Sequence, residues 1–206
     1  MPGKPKGLSS REDVLSPQEL GMLLSPCVSL RDRFIIYTLV YAGLRVSELK
    51  HLRRSWVNIE EGTITIPTRQ YCHCKECNYI DPRGKRKPKD GVWKPKTKKG
   101  ARTILIHPML LPVITDFMAG NEELGLTRQR IWQRLKELAR QAHILRNLYP
   151  HCLRATAATL LAYQGISAAS LQYDFGWERL SSAESYVKSD MKRAQAETKE
   201  IYARGK

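Results

Sequence analysis

Leu30-Arg31-Asp32-Arg33-Phe34-Ile35-Ile36-Tyr37-Thr38-Leu39-Val40-Tyr41-Ala42-Gly43-Leu44-Arg45-Val46-Ser47-Glu48-Leu49-Lys50-His51-Leu52 sets the architecture of the chain. The run from Leu30 to Tyr41 is too long and too apolar for an exposed strand. Gly43 follows it in the place of a C-terminal cap, so it reads as a buried helix. Beyond Gly43, Val46, Leu49 and Leu52 recur at helical spacing, which buries one face of a second helix and leaves Arg45 and Glu48 together on another.

Upstream, Ser16-Pro17-Gln18-Glu19 carries a capping serine, a first-turn proline and a glutamate at the capping-box position, predicting a short helix to about Ser25. Residues 1–15 read as a flexible basic arm. Downstream the period changes: Trp56–Ile59 and Thr63–Ile66 alternate, are rich in β-branched residues and flank Glu60-Glu61-Gly62, predicting a β-hairpin. Another strand, Thr103–Ile106, comes only after a basic, cysteine-bearing excursion at 67–102. Helices are expected over Pro108–Ala119, Thr127–Ala142, His151–Tyr163, Ser167–Tyr173 and Ser181–Val187. The charged stretch 191–203 of the tail is helix-compatible, but its apolar face is too small to stand alone, so it is expected to dock on something. The fold class is therefore α+β, mainly α-helical with a small antiparallel β-sheet, with the principal domain at 16–190.

Lys+Arg number 35 against Asp+Glu 20 in 206 residues, a net charge of +15 that attracts polyanions. Between Arg69 and Arg102 stand twelve basic residues and three acidic ones, so nine of the fifteen excess charges fall in the excursion. Nucleic acid is the leading partner class, ahead of general solubility or a ribosomal type of basicity. The longest apolar stretch, Phe34–Ala42, is about half of the roughly 20 residues a bilayer span needs. The start lacks the apolar core of a secretory signal, which favours an intracellular, cytoplasmic and DNA-associated protein.

Transfer of a phosphodiester to a hydroxyl nucleophile requires positive charge at the non-bridging oxygens, a proton donor for the leaving alkoxide and a nucleophile held in line. Ala42-Gly43-Leu44-Arg45-Val46-Ser47-Glu48-Leu49, Lys96-Thr97, His151-Cys152-Leu153-Arg154, Gly176-Trp177 and Tyr186 follow one another in an order and spacing that resembles the tyrosine recombinase (phage integrase) family, from about Ser16 to Lys188. Each motif alone is weak; five in order are specific.

The resemblance implies site-specific DNA strand cleavage and rejoining through a 3′-phosphotyrosine, with neither cofactor nor metal needed for the chemistry. It casts Arg45 and Arg154 as phosphate clamps, Glu48 as a buttress, His151 in phosphate contact and proton transfer, and Tyr186 as nucleophile. Lys96 would protonate the departing 5′ oxygen, with Lys94, Lys98 and Lys99 as alternatives in register. Trp177 departs from the commoner histidine, yet its indole N–H can donate one bond. Ala155 is a milder departure, where many members carry a basic residue or histidine. Bland readings exist for each residue: a helix arginine paired with Glu48, a capping histidine, a solvated lysine strand, a packing tyrosine.

The family further implies a tetramer on two synapsed duplexes, a monomer when free, and exchange of a C-terminal segment, for which 191–206 is the candidate. Most members also carry an N-terminal DNA-clamping domain. A type IB topoisomerase-like relaxation activity and a non-catalytic basic DNA-binding protein are the alternatives. Cys72, Cys74 and Cys77 lie within six residues, consistent with either a structural zinc or reduced thiols; four ligands are needed, and His73 or a residue from elsewhere would complete the set.

Overall fold

The computed structural model describes residues 14–80, 82–83, 90–187, 198 and 202. Most of the basic arm, part of the excursion and most of the tail lie outside the described residues. Helix α1 (Pro17–Leu24) opens on the expected capping box: Glu19 N donates to Ser16 Oγ at 3.1 Å and Ser16 N to Glu19 Oε2 at 2.8 Å. Helix α2 (Leu30–Tyr41) is capped by Ser29 and is buried nearly all round through Phe34, Ile35, Ile36, Leu39 and Val40, as its lack of a polar face requires. It ends as Gly43 takes a left-handed conformation at φ 56°. A side chain there would lie 2.7 Å from the Phe175 ring. Helix α3 (Val46–His51) follows directly.

A single 3-10 turn (Arg54–Trp56) leads into strand β1 (Val57–Asn58), so Trp56 closes the turn and does not begin the strand. Strand β2 (Thr63–Ile66) pairs antiparallel with β1. Within the excursion, β3 (Gln70–Tyr71) and β4 (Val92–Trp93) pair as a separate two-stranded ladder that the sequence did not predict. Strand β5 (Arg102–Leu105) pairs antiparallel with β2, giving the sheet order β1-β2-β5. It begins one residue earlier than predicted, with Ile66 opposite Arg102 and Ile64 opposite Ile104.

Helix α4 (Leu111–Gly120) starts three residues later than predicted, because His107–Leu110 forms a turn held by the Leu110 N–H on the His107 carbonyl at 2.8 Å. Helices α5 (Arg128–Gln141), α6 (Pro150–Tyr163), α7 (Ala168–Phe175) and α8 (Leu180–Val187) complete the order. α7 runs two residues past the predicted end and stops at the left-handed Gly176. α2 is the axis of the main core: Phe34 stacks on Phe117 of α4 at 3.9 Å between centroids, and Asp32 grips Arg134 of α5 through two contacts of 2.6 and 2.7 Å. A second, smaller core of Ala157, Ala158, Leu171, Phe175 and Ala183 joins α6, α7 and α8. Among the described residues no helix is long and apolar enough to cross a membrane.

Candidate active site

The first turn of α3 carries Glu48 into the interior, where it is fully buried and surrounded by three guanidinium groups. Its Oε1 accepts from Arg45 Nη1 at 2.7 Å and from Arg102 Nη1 at 3.2 Å. Its Oε2 accepts from the Arg45 backbone N–H at 2.8 Å and from Arg102 Nη2 at 3.2 Å, and Arg154 Nη1 stands 4.0 Å away. Burial alone would push the Glu48 carboxyl up. Arg102, Arg154 and Arg45 outweigh it and hold the group below the usual carboxylate range. Three cations on one carboxylate leave these four side chains an excess of two positive charges, the electrostatic requirement for seating an anion.

Arg45 reaches past Glu48 to donate to the Gly176 carbonyl at 2.8 Å, and of the three guanidiniums facing Glu48 it is the one with an exposed edge, its side chain 16% accessible. Arg154, one turn into α6, is buried and donates to the carbonyls of Gly43 and Phe175. Burial pushes its guanidinium down, Arg45 and Arg102 push the same way, and Glu48 and Tyr186 oppose them; a guanidinium nevertheless stays cationic at neutral pH. Arg102 was not anticipated. Its Nε donates to the Asp174 carbonyl at 2.6 Å and its Nη1 to that of Gly100 at 2.8 Å. A signal for it was present in the alternation of the last strand, where Ile104 and Ile106 face inward and the same parity reaches Arg102.

Trp177 follows the α7 cap and stacks on Phe175 at 4.9 Å, and Tyr186 of α8 lies parallel to Trp177 at 5.4 Å and 6°. The Arg154 Cζ sits 5.8 Å from the Trp177 ring. Gly176 permits this close approach: at φ 55°, any side chain would meet the Lys99 carbonyl at 2.6 Å. Thus Arg45, Glu48, Arg154, Trp177 and Tyr186, scattered over 142 residue numbers, come together. His151 lies exposed in the first turn of α6, three residues before Arg154. Lys96 is exposed in the loop after β4. Its neighbour Thr97 donates to the Gly176 carbonyl at 3.2 Å, and Lys99 Nζ reaches the Glu178 carbonyl at 3.4 Å.

A second cluster lies one helical turn beyond Glu48. His51, Cys72, Cys74 and Cys77 place their ligand atoms within 4.8 Å of one another, so the histidine drawn to the thiols is His51 and not His73, which is exposed. Burial pushes the Cys77 thiol up to about 12. At Cys74 burial is outweighed by hydrogen bonds from His51, Cys72 and Lys50, which bring it down to about 6.

The chain belongs to the phage integrase family, whose model matches residues 13–193. It is 30% identical over 203 residues to the tyrosine recombinase XerD of Pseudomonas putida, covering 98% of this chain and 63% of that protein, so it spans a little under two thirds of the relative's length. The fold is similar to that of the catalytic domain of bacteriophage HP1 integrase (TM-score 0.60, 16% identity, 90% of this chain and 93% of that one). It is also similar to the Tn1549 transposon integrase in complex with transposon right end DNA (TM-score 0.68, 19% identity, 92% and 66%).

Proposed function

We propose that this chain is the catalytic domain of a site-specific DNA recombinase that cuts and rejoins strands through Tyr186. The observation that carries the reading is the convergence of Arg45 and Arg154 on Glu48, with the phenol of Tyr186 stacked beside them on Trp177. A DNA phosphate seated at the exposed edge of Arg45 offsets the excess positive charge. The Tyr186 oxygen then attacks phosphorus, a 3′-phosphotyrosine bond forms and the bond to the 5′ oxygen breaks. His151 contacts the phosphate and moves the phenolic proton, and Lys96 protonates the leaving oxygen. Attack by a 5′-hydroxyl from a partner strand reverses these steps, so one phosphodiester is exchanged for another and no external energy source or metal is needed.

Double-stranded DNA is the substrate, in keeping with the basic excursion and with the DNA-bound Tn1549 integrase among the similar folds. The expected assembly is an intracellular tetramer on two synapsed sites, built from free monomers with the segment 191–206 exchanged between neighbours.

The test uses suicide duplexes drawn from the DNA flanking the gene. The wild-type protein should leave a denaturant-resistant protein–DNA adduct. Tyr186→Phe should abolish the adduct while binding stays within about twofold, since only a hydroxyl is lost. An adduct that survives the substitution rules out Tyr186 as nucleophile. Relaxation of supercoiled plasmid lacking any partner site would favour a topoisomerase instead.

A further inference from the structure

We propose that His51, Cys72, Cys74 and Cys77 form a closed, four-ligand site for one zinc ion that ties the 67–102 excursion to α3. Geometry is the first support. Zinc lies about 2.3 Å from thiolate sulfur and about 2.0 Å from imidazole nitrogen in tetrahedral sites, which sets a sulfur–nitrogen separation of about 3.5 Å. His51 Nε2 stands 3.5 Å from Cys74 Sγ and 3.5 Å from Cys77 Sγ.

Orientation is the second. His51 Nδ1 is 2.7 Å from the Ser47 carbonyl one turn back in α3, so Nδ1 carries the proton and the lone pair of Nε2 points at the thiols. The ring is held from the side by Trp93 of β4, stacked at 5.3 Å, and Trp93 in turn rests on Trp56. The cysteine loop is shaped equally firmly: the Cys74 N–H donates to Cys72 Sγ at 3.4 Å, Asn78 Nδ2 donates to the Cys72 carbonyl at 2.6 Å, and Cys72 and Cys77 exchange backbone hydrogen bonds with Gly91 at 2.8 and 3.0 Å.

Charge is the third. Three thiolates and a neutral imidazole around a divalent cation carry one net negative charge. The ammonium of Lys50, itself buried, lies 3.2 Å from Cys74 Sγ, and because Glu76 is shared between Lys50 at 2.9 Å and Arg128 at 3.2 Å, this trio keeps one positive charge to offset it. Cys72, Cys77 and His51 are each at most 6% exposed, and four protein donors leave no coordination position for water or substrate. The site is therefore a staple and not a second reaction centre. Soft sulfur donors with one imidazole in a tetrahedral set select zinc over calcium or magnesium. Around the cluster the ladder is only two residues long on each strand and sends one large side chain, Trp93, into the core, so metal ligation adds stability that so short a module needs.

The experiment is elemental analysis of the full chain, purified on cation exchange and heparin with neither chelator nor metal-affinity resin. About one zinc per chain is expected. His51→Ala and Cys72→Ser should each lose the metal, and His73→Ala should keep it. Cobalt(II) exchanged into the wild-type protein should give the intense visible bands and thiolate charge-transfer absorption of a tetrahedral sulfur-rich site, a readout that needs no variant to fold and no DNA to be cut. Wild-type protein without zinc, protein carrying iron or copper in its place, octahedral cobalt spectra, or metal lost from His73→Ala but kept by His51→Ala would each overturn the assignment.

Discussion

Glu48 joins the two arginines read from the motifs to the one that was not. Replacing it by glutamine leaves three guanidiniums crowded without a carboxylate, and Glu48→Gln should lower stability by about 3–5 kcal/mol, read by urea unfolding. Arg102→Ala takes two of the four hydrogen bonds from the buried Glu48 carboxylate and removes the donor to the Asp174 and Gly100 carbonyls, and should cost a similar amount. Arg45, with its exposed edge, should show the opposite balance: Arg45→Ala removes adduct formation on suicide DNA while unfolding shifts less than for Arg102→Ala. Both Glu48 and Asp32 hold their protons less tightly folded than unfolded, because arginines surround them. Their ion pairs thus stabilise the fold above the ordinary carboxylate range, and that contribution should hold from neutral down to about pH 4 and fall away below it, seen as a declining thermal midpoint.

At the level of elements, the loop between β4 and β5 presents four lysines, of which Lys96 precedes the Thr97 contact to Gly176. Sulfur in place of the bridging 5′ oxygen leaves without protonation, so cleavage lost in Lys96→Ala should return on such a substrate, and rescue of Lys94→Ala, Lys98→Ala or Lys99→Ala instead would move the role. Several helix limits were legible because caps are local: Ser16 with Glu19, Thr127 before α5 and Gly43 after α2. What escaped was non-local. Arg102 was passed over as a basic residue at a strand edge, since nothing nearby in sequence says that Glu48, 54 positions away, waits across the sheet. His51 was missed for the same reason. Its partners begin 21 positions later, and a search confined to the cysteine loop finds only His73. The two-residue ladders β3 and β4 are too short to leave a periodic signature.

For the molecule as a whole, a net charge of +15 should make DNA affinity fall steeply and linearly on a log–log plot against salt, with a slope of about −0.9 per phosphate contacted. A flat dependence would mean that the basic residues do not touch the DNA backbone. The division of the interior into two unequal cores has its own outcome in hydrogen exchange. α8, which bears Tyr186, is anchored through a cluster of five buried residues, three of them alanine, whereas α2 is sealed within the main core. Opening α8 exposes little apolar surface, so its amides should exchange well before those of α2. Local opening at α8 would thus free the Tyr186 phenol from its seat on Trp177 while the packing around α2 stays whole.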